Sequence, residues 1–362
     1  MRRLSSTNIV YLVALVTVVA GIVLVGSTGR SFFSTGNISD ILTGTSILGF
    51  IAIGQTLVIL VGSLDLSVPY VISLSSLIGA GIMANQPANI LPAVIVALLV
   101  SALIGLANGV VVAGLKVHGF IATLGMGLIV SGYLGSTYQG SSGQAPLAFR
   151  LIGATGIGPV PVSTLIMLAC AAVVLVMLNS TRLGHAIYAV GGDASVARMS
   201  GVRTRTPVLA AHVICSTLAG LAGLLLAARL GVGSPTIGSQ GGYDLLSIAA
   251  VVLGGTLLAG GKGSLIGTLG GVLIFAMLDN IMSVLQINPF LKDVVRGIVI
   301  VVSVAVYARR RTVHRPARFG RGPVRQGEDR TPAGPGTPRR RPGGPDGSSK
   351  GEGPGMRNEV PA

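Results

Sequence analysis

The sequence predicts an all-α polytopic membrane protein of about ten transmembrane helices, arranged as an inverted five-plus-five repeat. Three observations carry this expectation. Only 10% of the 362 residues are charged while 50% are hydrophobic, against roughly a quarter charged in soluble domains. Apolar stretches of about 20 residues recur from Ile9 onward, each long enough as a helix to cross a bilayer core of roughly 30 Å. Of the 54 glycines, 24 fall inside those stretches, where small residues let helix backbones approach closely.

Taken in order, the predicted spans are 9–26, 41–62, 68–84, 91–114, 120–138, 161–178, 207–228, 244–260, 264–286 and 291–308. Arg2 and Arg3 before the first run resemble a signal peptide, but no small-residue cleavage site closes that run, so it reads as a retained span. The second span ends at the polar break Gly62-Ser63-Leu64-Asp65-Leu66-Ser67. Pro69 then suits the first turn of the third. The sixth and seventh are separated by the longest polar interruption, residues 179–206. Gly263, Gly267 and Gly271 recur every four residues in the ninth, and Gly105 and Gly109 share that spacing in the fourth. Both sets read as packing surfaces.

Ten spans place both termini on one side, and the positive-inside rule selects the cytoplasm. With that orientation Arg2, Arg3, Lys116, Arg182, Arg198, Arg203, Arg205 and Lys262 lie inside, and only Arg30, Arg150, Arg229 and Lys292 lie outside. The membrane-spanning body therefore covers residues 1–308. Residues 309–362 form a basic, cytoplasmic tail expected to be disordered. Gly and Pro supply 20 of its 54 residues, and it holds 13 of the 26 Lys+Arg and 5 of the 11 Asp+Glu, which puts +8 on the tail and +7 on the rest. Much of the chain's positive charge thus sits on the tail, and nucleic acid is not implied.

The repeat is read from Leu115-Lys116-Val117-His118-Gly119-Phe120-Ile121 before the fifth span, which matches Leu285-Gln286-Ile287-Asn288-Pro289-Phe290-Leu291 before the tenth. Five helices are an odd number, so the halves have opposite orientation, an architecture that places a solute path between them.

Within 179–206, Asp193 is placed to cap a short helix over Ala194–Met199, with Gly201 as its stop. A rigid cytoplasmic element of this kind is what an external motor needs to grip. Elsewhere, Asp65 and Ser67 either line the path or its gate or cap the third helix. Asp279 and Asn280 are costly in lipid and should face the interior or a partner chain, as should Gln55. Lys292, Asp293 and Arg296 are spaced to neutralise one another. Cys170 and Cys215 read as small buried hydrophobes. The nearest approach to a nucleotide-binding loop, Gly261-Lys262-Gly263, lacks the required Ser/Thr and first Gly. No catalytic set or metal-ligand cluster stands out, which sets aside a membrane-embedded enzyme, and the scarcity of buried charge beyond Asp279 disfavours an ion-coupled carrier.

Four ordered segments resemble the ribose/xylose/galactose-type sugar permeases of ABC importers. They are Gly62-Ser-Leu-Asp65-Leu66-Ser67-Val68, Gly119-Phe120-Ile121-Ala122-Thr123-Leu124-Gly125, Thr181-Arg-Leu-Gly184-His-Ala-Ile-Tyr188-Ala-Val-Gly191-Gly192-Asp193 with Ala197, Arg198 and Gly201 following, and Gly242-Tyr243-Asp244 through Ser264. The resemblance runs from Phe32 to Tyr307. It implies a transport subunit of the bacterial cell membrane that binds no cofactor, with ATP and Mg on partner ATPase subunits. It further implies an extracytoplasmic solute-binding protein and a second permease chain, as homodimer or heterodimer. By this likeness residues 179–206, with Gly184, Tyr188, Gly191, Gly192, Asp193, Ala197, Arg198 and Gly201, contact the ATPase, while Gln55, Asp65, Ser67, Phe120, Thr123, Asp279 and Asn280 are candidates for the path or gate. The solute is expected to be a ribose-like monosaccharide, with branched-chain amino acids, nucleosides or another small polar solute as the alternative. The chain departs from the family at Pro69, where Gly is usual, and at Asp193, where Asn is usual.

Overall fold

The computed structural model describes residues 6–312, with side chains from 10 to 302; most of the basic tail, from residue 313 on, lies outside the described residues. Helices dominate: α1 (Ser6–Gly26), α2 (Thr35–Leu60), α3 (Val68–Met83), α4 (Ile90–Gly114), α5 (Gly119–Thr137), α6 (Leu147–Ala154), α7 (Val162–Ser180), α8 (Arg182–Gly192), α9 (Ala194–Met199), α10 (Arg205–Leu230), α11 (Ile237–Gln240), α12 (Tyr243–Leu253), α13 (Leu265–Val284) and α14 (Pro289–Thr312). A two-residue hairpin, β1 (Gly156–Ile157) with β2 (Val160–Pro161), precedes α7. Local chemistry sets several starts. Ser34 Oγ accepts the Asn37 amide ahead of α2, and Ser264 Oγ accepts the Gly267 amide ahead of α13. Pro69 lies in the first turn of α3.

Among the described residues, α2, α4 with its preceding turn, α5, α7, α10 and α13 are long and apolar enough to cross a membrane. The helix α1 also fits its predicted span. The helix α14 carries Lys292, Asp293 and Arg296 in its first turns. The predicted span at 244–260 needs correction: its helix, α12, stops at Leu253. Hydropathy stays high to Ala259, but Gly254-Gly255 breaks the helix, with φ 92° at Gly255, and Gly260 and Gly261 also take positive φ. Eleven residues rise only about 16 Å, about half of a bilayer core.

Burial sorts the layers. The α2 span is 83% buried and α4 only 22%, so α2 is central and α4 peripheral, with Leu91, Leu99 and Leu103 turned outward. Around α2 pack α10, α13, α12 and α7. Hydroxyls join these helices where apolar surroundings offer no competitor: Thr56 to Thr268 across α2 and α13 at 3.0 Å, Ser46 to Ser163 across α2 and α7 at 3.0 Å, and the Ser75 hydroxyl to the Gly220 carbonyl across α3 and α10 at 2.7 Å. Small residues set the closest crossings. A Cβ at Gly105 or Gly109 would collide with the backbone of α10 at Val213 and Leu209, and one at Gly267 or Gly271 with the carbonyls of Gly254 and Ala250. Gly263 does not belong to that ridge. It precedes α13, and a Cβ there would meet the Thr256 side chain.

Several features recur in both halves. The helices α2 and α10 each have 26 residues, and each is followed by irregular chain and a short helix, α3 or α12. Non-glycine residues with positive φ stand at the matched positions Lys116 (59°) and Gln286 (54°). Packing is exchanged in the same sense, α2 against α13 and α10 against α4.

Candidate functional site

The segment between α2 and α3 does not stay at the membrane surface. A Cβ at Gly119, the first residue of α5, would meet Ser63. One turn on, Thr123 Oγ1 accepts the Leu66 amide (3.0 Å) and shares its one proton between the Leu64 carbonyl (3.1 Å) and the Gly119 carbonyl of its own helix (2.9 Å). Another turn on, Gly127 lies against Leu66 and Tyr70. Eight residues of α5 rise about 12 Å, so residues 62–67 run inward along α5 and α3 begins at depth.

This entry buries a polar cluster. Asp65, Ser67, Asn108 and His212 are at most 1% exposed. Asp65 Oδ1 accepts the Ser67 amide (3.0 Å) and the Ser67 hydroxyl (2.6 Å), while Asn108 Nδ2 donates to Ser67 Oγ (2.9 Å). His212 stands between α10 and the loop, with Nδ1 3.5 Å from Asp65 Oδ2 and Nε2 3.1 Å from Ser63 Oγ. Ser67 occupies the N-cap position of α3 but makes no side-chain cap; its hydroxyl is committed to Asp65, which corrects the capping alternative for that residue. Gln55 is also fully buried; its Oε1 accepts from Cys215 Sγ at 3.7 Å. Thr123 is buried as the clamp described above, whereas Phe120 is 43% exposed.

A second irregular segment enters beside α3. The Ser234 amide donates to Ser76 Oγ (3.1 Å) and the Gly238 amide to Ser73 Oγ (3.1 Å), and Gly238 lies against the Pro69 backbone. Residues 232–242 therefore descend α3 from its middle to its start. The next helix, α12, runs antiparallel to α13, with Ala250 by Gly271 and Gly254 by Gly267. The short helices α3 and α12 thus start at similar depth and run toward opposite faces, as broken helices do around a solute path.

Between α2, α12, α13 and α14 lies a cavity of about 420 Å³, bordered by Asp40, Arg229, Tyr243, Asp279, Asn280 and Arg296 among others. Arg296 bridges Asp279 on α13 and Asp293 (3.0 Å) on its own helix. Lys292 does not join them as spacing suggested; its Nζ reaches Ser283 Oγ at 2.8 Å, because the turn before α14 brings that helix back over the end of α13. The expectation about buried charge is likewise reversed. The Asp279 side chain is 45% exposed, whereas Asp65 is fully buried. Asp279 belongs to the last third of α13 and opens on the cavity, while the chain folds Asp65 inward.

On the face where α2 ends, the polar stretch 179–206 forms two helices. Thr181 caps α8 by accepting the Gly184 amide (3.2 Å). Asp193 caps α9 as expected, accepting the Ser195 and Val196 amides at 2.8 and 3.1 Å and the Ser195 hydroxyl at 2.5 Å. Those bonds, the Ser195 hydroxyl foremost, hold its carboxyl below the ordinary value of 3.8. Gly201 follows α9 with φ 80°, Ala197 is buried, and Arg198 is exposed. The preceding helix sits on two irregular segments at once. A Cβ at Gly191 would strike the Leu60 carbonyl and the Gly261 amide, which are themselves bonded at 2.9 Å, and Tyr188 Oη donates to the Gly263 carbonyl at 3.3 Å. Gly184 abuts the end of α7. A Cβ at Gly192 would meet nothing within 4 Å. Sequence reading missed His212 and Asn108; a histidine amid the apolar seventh span was the available signal.

Residues 37–304 match the family model described as branched-chain amino acid transport system / permease component. The chain is 39% identical over 302 residues to the ribose import permease protein RbsC of Escherichia coli (strain K12), covering 82% of this chain and 92% of that protein. It is 35% identical over 287 residues to RbsC of Bacillus subtilis (strain 168), covering 78% and 88%. It is 33% identical over 280 residues to the D-allose transport system permease protein AlsC of Escherichia coli (strain K12), covering 76% and 84%. No solved structure matches the chain.

Proposed function

We propose, from the premise that the chain belongs to the branched-chain amino acid transport system / permease component family, that it is the membrane-spanning permease subunit of an ABC importer for a monosaccharide. Its relatives are named for ribose, D-allose and galactose import. An importer of this kind divides the work. A solute-binding protein delivers the sugar outside, this chain forms the path, and separate ATPase subunits hydrolyse ATP in the cytoplasm.

The single observation that carries the reading is the seating of α8. It rests against Leu60, which ends α2, and against Gly261 and Gly263, which lie in the connection to α13. A push on α8 from the cytoplasm would move both irregular segments together, one from each half. Residues 62–67, which fold inward, and residues 254–264, which lie under α8, are irregular, so they can rearrange without unwinding a spanning helix. Matched element lengths, matched positive-φ residues and exchanged packing support an inverted repeat with α3 and α12 as its broken helices. The distribution of basic residues supports a cytoplasmic side for α8, α9 and both termini. A second copy of the chain, or a related permease, completes the path.

The test is reconstitution. Coexpressed with a candidate ATPase subunit and supplied with a sugar-loaded binding protein, the chain should copurify with the ATPase and raise its ATP hydrolysis several-fold. Absence of any stable association, in detergent and in lipid nanodiscs, would refute the reading.

A further inference from the structure

We infer that the cavity between α2, α12, α13 and α14 is a monosaccharide-binding subsite within the permease, with Asn280, Asp279, Arg229 and Tyr243 as its recognition groups. The inference rests on the importer reading and adds where the sugar pauses. The helix α12 begins at depth with Tyr243, and the cavity extends from there to Ser283 and Val284 at the far end of α13. It is therefore a vestibule in the half of the protein away from α8.

Its chemistry suits a polyhydroxylated ring. Asn280 borders the cavity, and its Oδ1 is buried without a hydrogen-bond partner, a costly state that turning the amide toward a sugar hydroxyl would relieve. Asp279 is fixed by Arg296 yet remains 45% exposed, leaving acceptor capacity for hydroxyl donors. The Arg229 guanidinium on the cavity wall supplies donors in a rigid fork. The rings of Tyr243 and Phe275 offer apolar faces for the C–H side of the sugar. A volume of about 420 Å³ lies at the lower end of small-molecule pockets, as a single monosaccharide requires.

Asn280→Leu tests this directly, because the lost amide oxygen bonds nothing in the protein and the fold should survive. In proteoliposomes holding the complete importer, D-ribose uptake should fall at least tenfold. The variant should still copurify with the ATPase in a monodisperse complex, which shows that its fold is intact. Uptake at the wild-type level would overturn the subsite. A second measurement needs neither ATP turnover nor a binding protein. Ser283→Cys should react with a thiol reagent beyond the background set by Cys170 and Cys215, and 20 mM D-ribose should slow that reaction at least threefold. An unchanged rate would also overturn the subsite. If wild-type importer shows no stimulated hydrolysis, the importer reading fails, and the cysteine protection still decides whether the cavity takes a sugar.

Discussion

Replacing Asp65 with alanine should destabilise the protein more than any other single change in the polar cluster. The carboxylate accepts two hydrogen bonds from Ser67 and faces His212 at 3.5 Å, all without solvent exposure. Alanine leaves the Ser67 amide and one imidazole nitrogen unpartnered in the interior. Removing one member of a buried, bonded pair costs about 3–5 kcal/mol, and the orphaned amide alone accounts for about 1–3 kcal/mol of that. Asparagine keeps the acceptor for Ser67 and loses only the charge, so its cost should be about 1–1.5 kcal/mol, the gap between charged and neutral hydrogen bonds. For a chain of this size roughly 2 °C follows each kcal/mol. Thermal unfolding of the purified permease, followed by fluorescence at one scan rate, should therefore drop about 6–10 °C for Asp65→Ala and about 2–3 °C for Asp65→Asn. The pair Asp65→Ala/His212→Leu should cost less than the sum of the single changes, because the second removes the group that the first orphaned. Strict additivity, or an Asp65→Ala protein within 2 °C of wild type, would refute the clamp.

The seating of α8 separates two neighbouring glycines. Gly191→Val drives a side chain into the Leu60 carbonyl and the Gly261 amide, so it should lower the monodisperse yield on size exclusion. Gly192→Val meets open space, so it should insert and purify normally while losing sugar-stimulated ATP turnover; normal turnover would place the motor contact elsewhere. The α9 cap sets a pH dependence. The Asp193 carboxyl is held below its ordinary value, so its contribution is complete above the unfolded value near 3.8 and is lost as pH falls through the lower folded one. Amide-exchange protection at Ala197–Met199, corrected for intrinsic rate, should hold from pH 8 to 5 and decay below pH 4. Asp193→Asn should be flat over that range, and a decay as steep as wild type would show that another group titrates.

Hydropathy located the long apolar helices because burial in lipid depends on composition summed along a helix, which a sequence displays. It failed at 244–260 because a glycine pair ends a helix while the residues after it stay apolar. The α9 cap was legible for a local reason: Asp193, Ala197 and Gly201 act within about two helical turns of each other. His212 was not legible as the partner of Asp65, since the two are 147 residues apart and meet only because residues 62–67 fold inward. The cost of Asp279 in lipid pointed it to the interior or a partner chain, and it borders the cavity; its partner Arg296, 17 residues on, was not legible, because spacing shows only neighbours on one helix.

The clamp at Asp65 and the seat of α8 bear on one another through Leu60. That residue ends α2, its carbonyl accepts the Gly261 amide, and five residues later the chain reaches the carboxylate held by Ser67 and His212. A displacement of α8 that separates Leu60 from Gly261 would pull on a segment anchored at both Thr123 and Asp65. Breaking the anchor at Thr123 loses two neutral hydrogen bonds, about 1 kcal/mol each, whereas breaking the one at Asp65 loses several times that. Motion imposed at α8 should therefore free Leu64 and Leu66 from Thr123 before Ser67 leaves Asp65. Thr123→Val should accordingly loosen the segment while leaving the start of α3 in place, and exchange protection at Leu66, whose amide Thr123 accepts, should fall while that at Val71 is retained. Equal loss at both would show that the segment opens as one unit, with Asp65 no firmer than its neighbours.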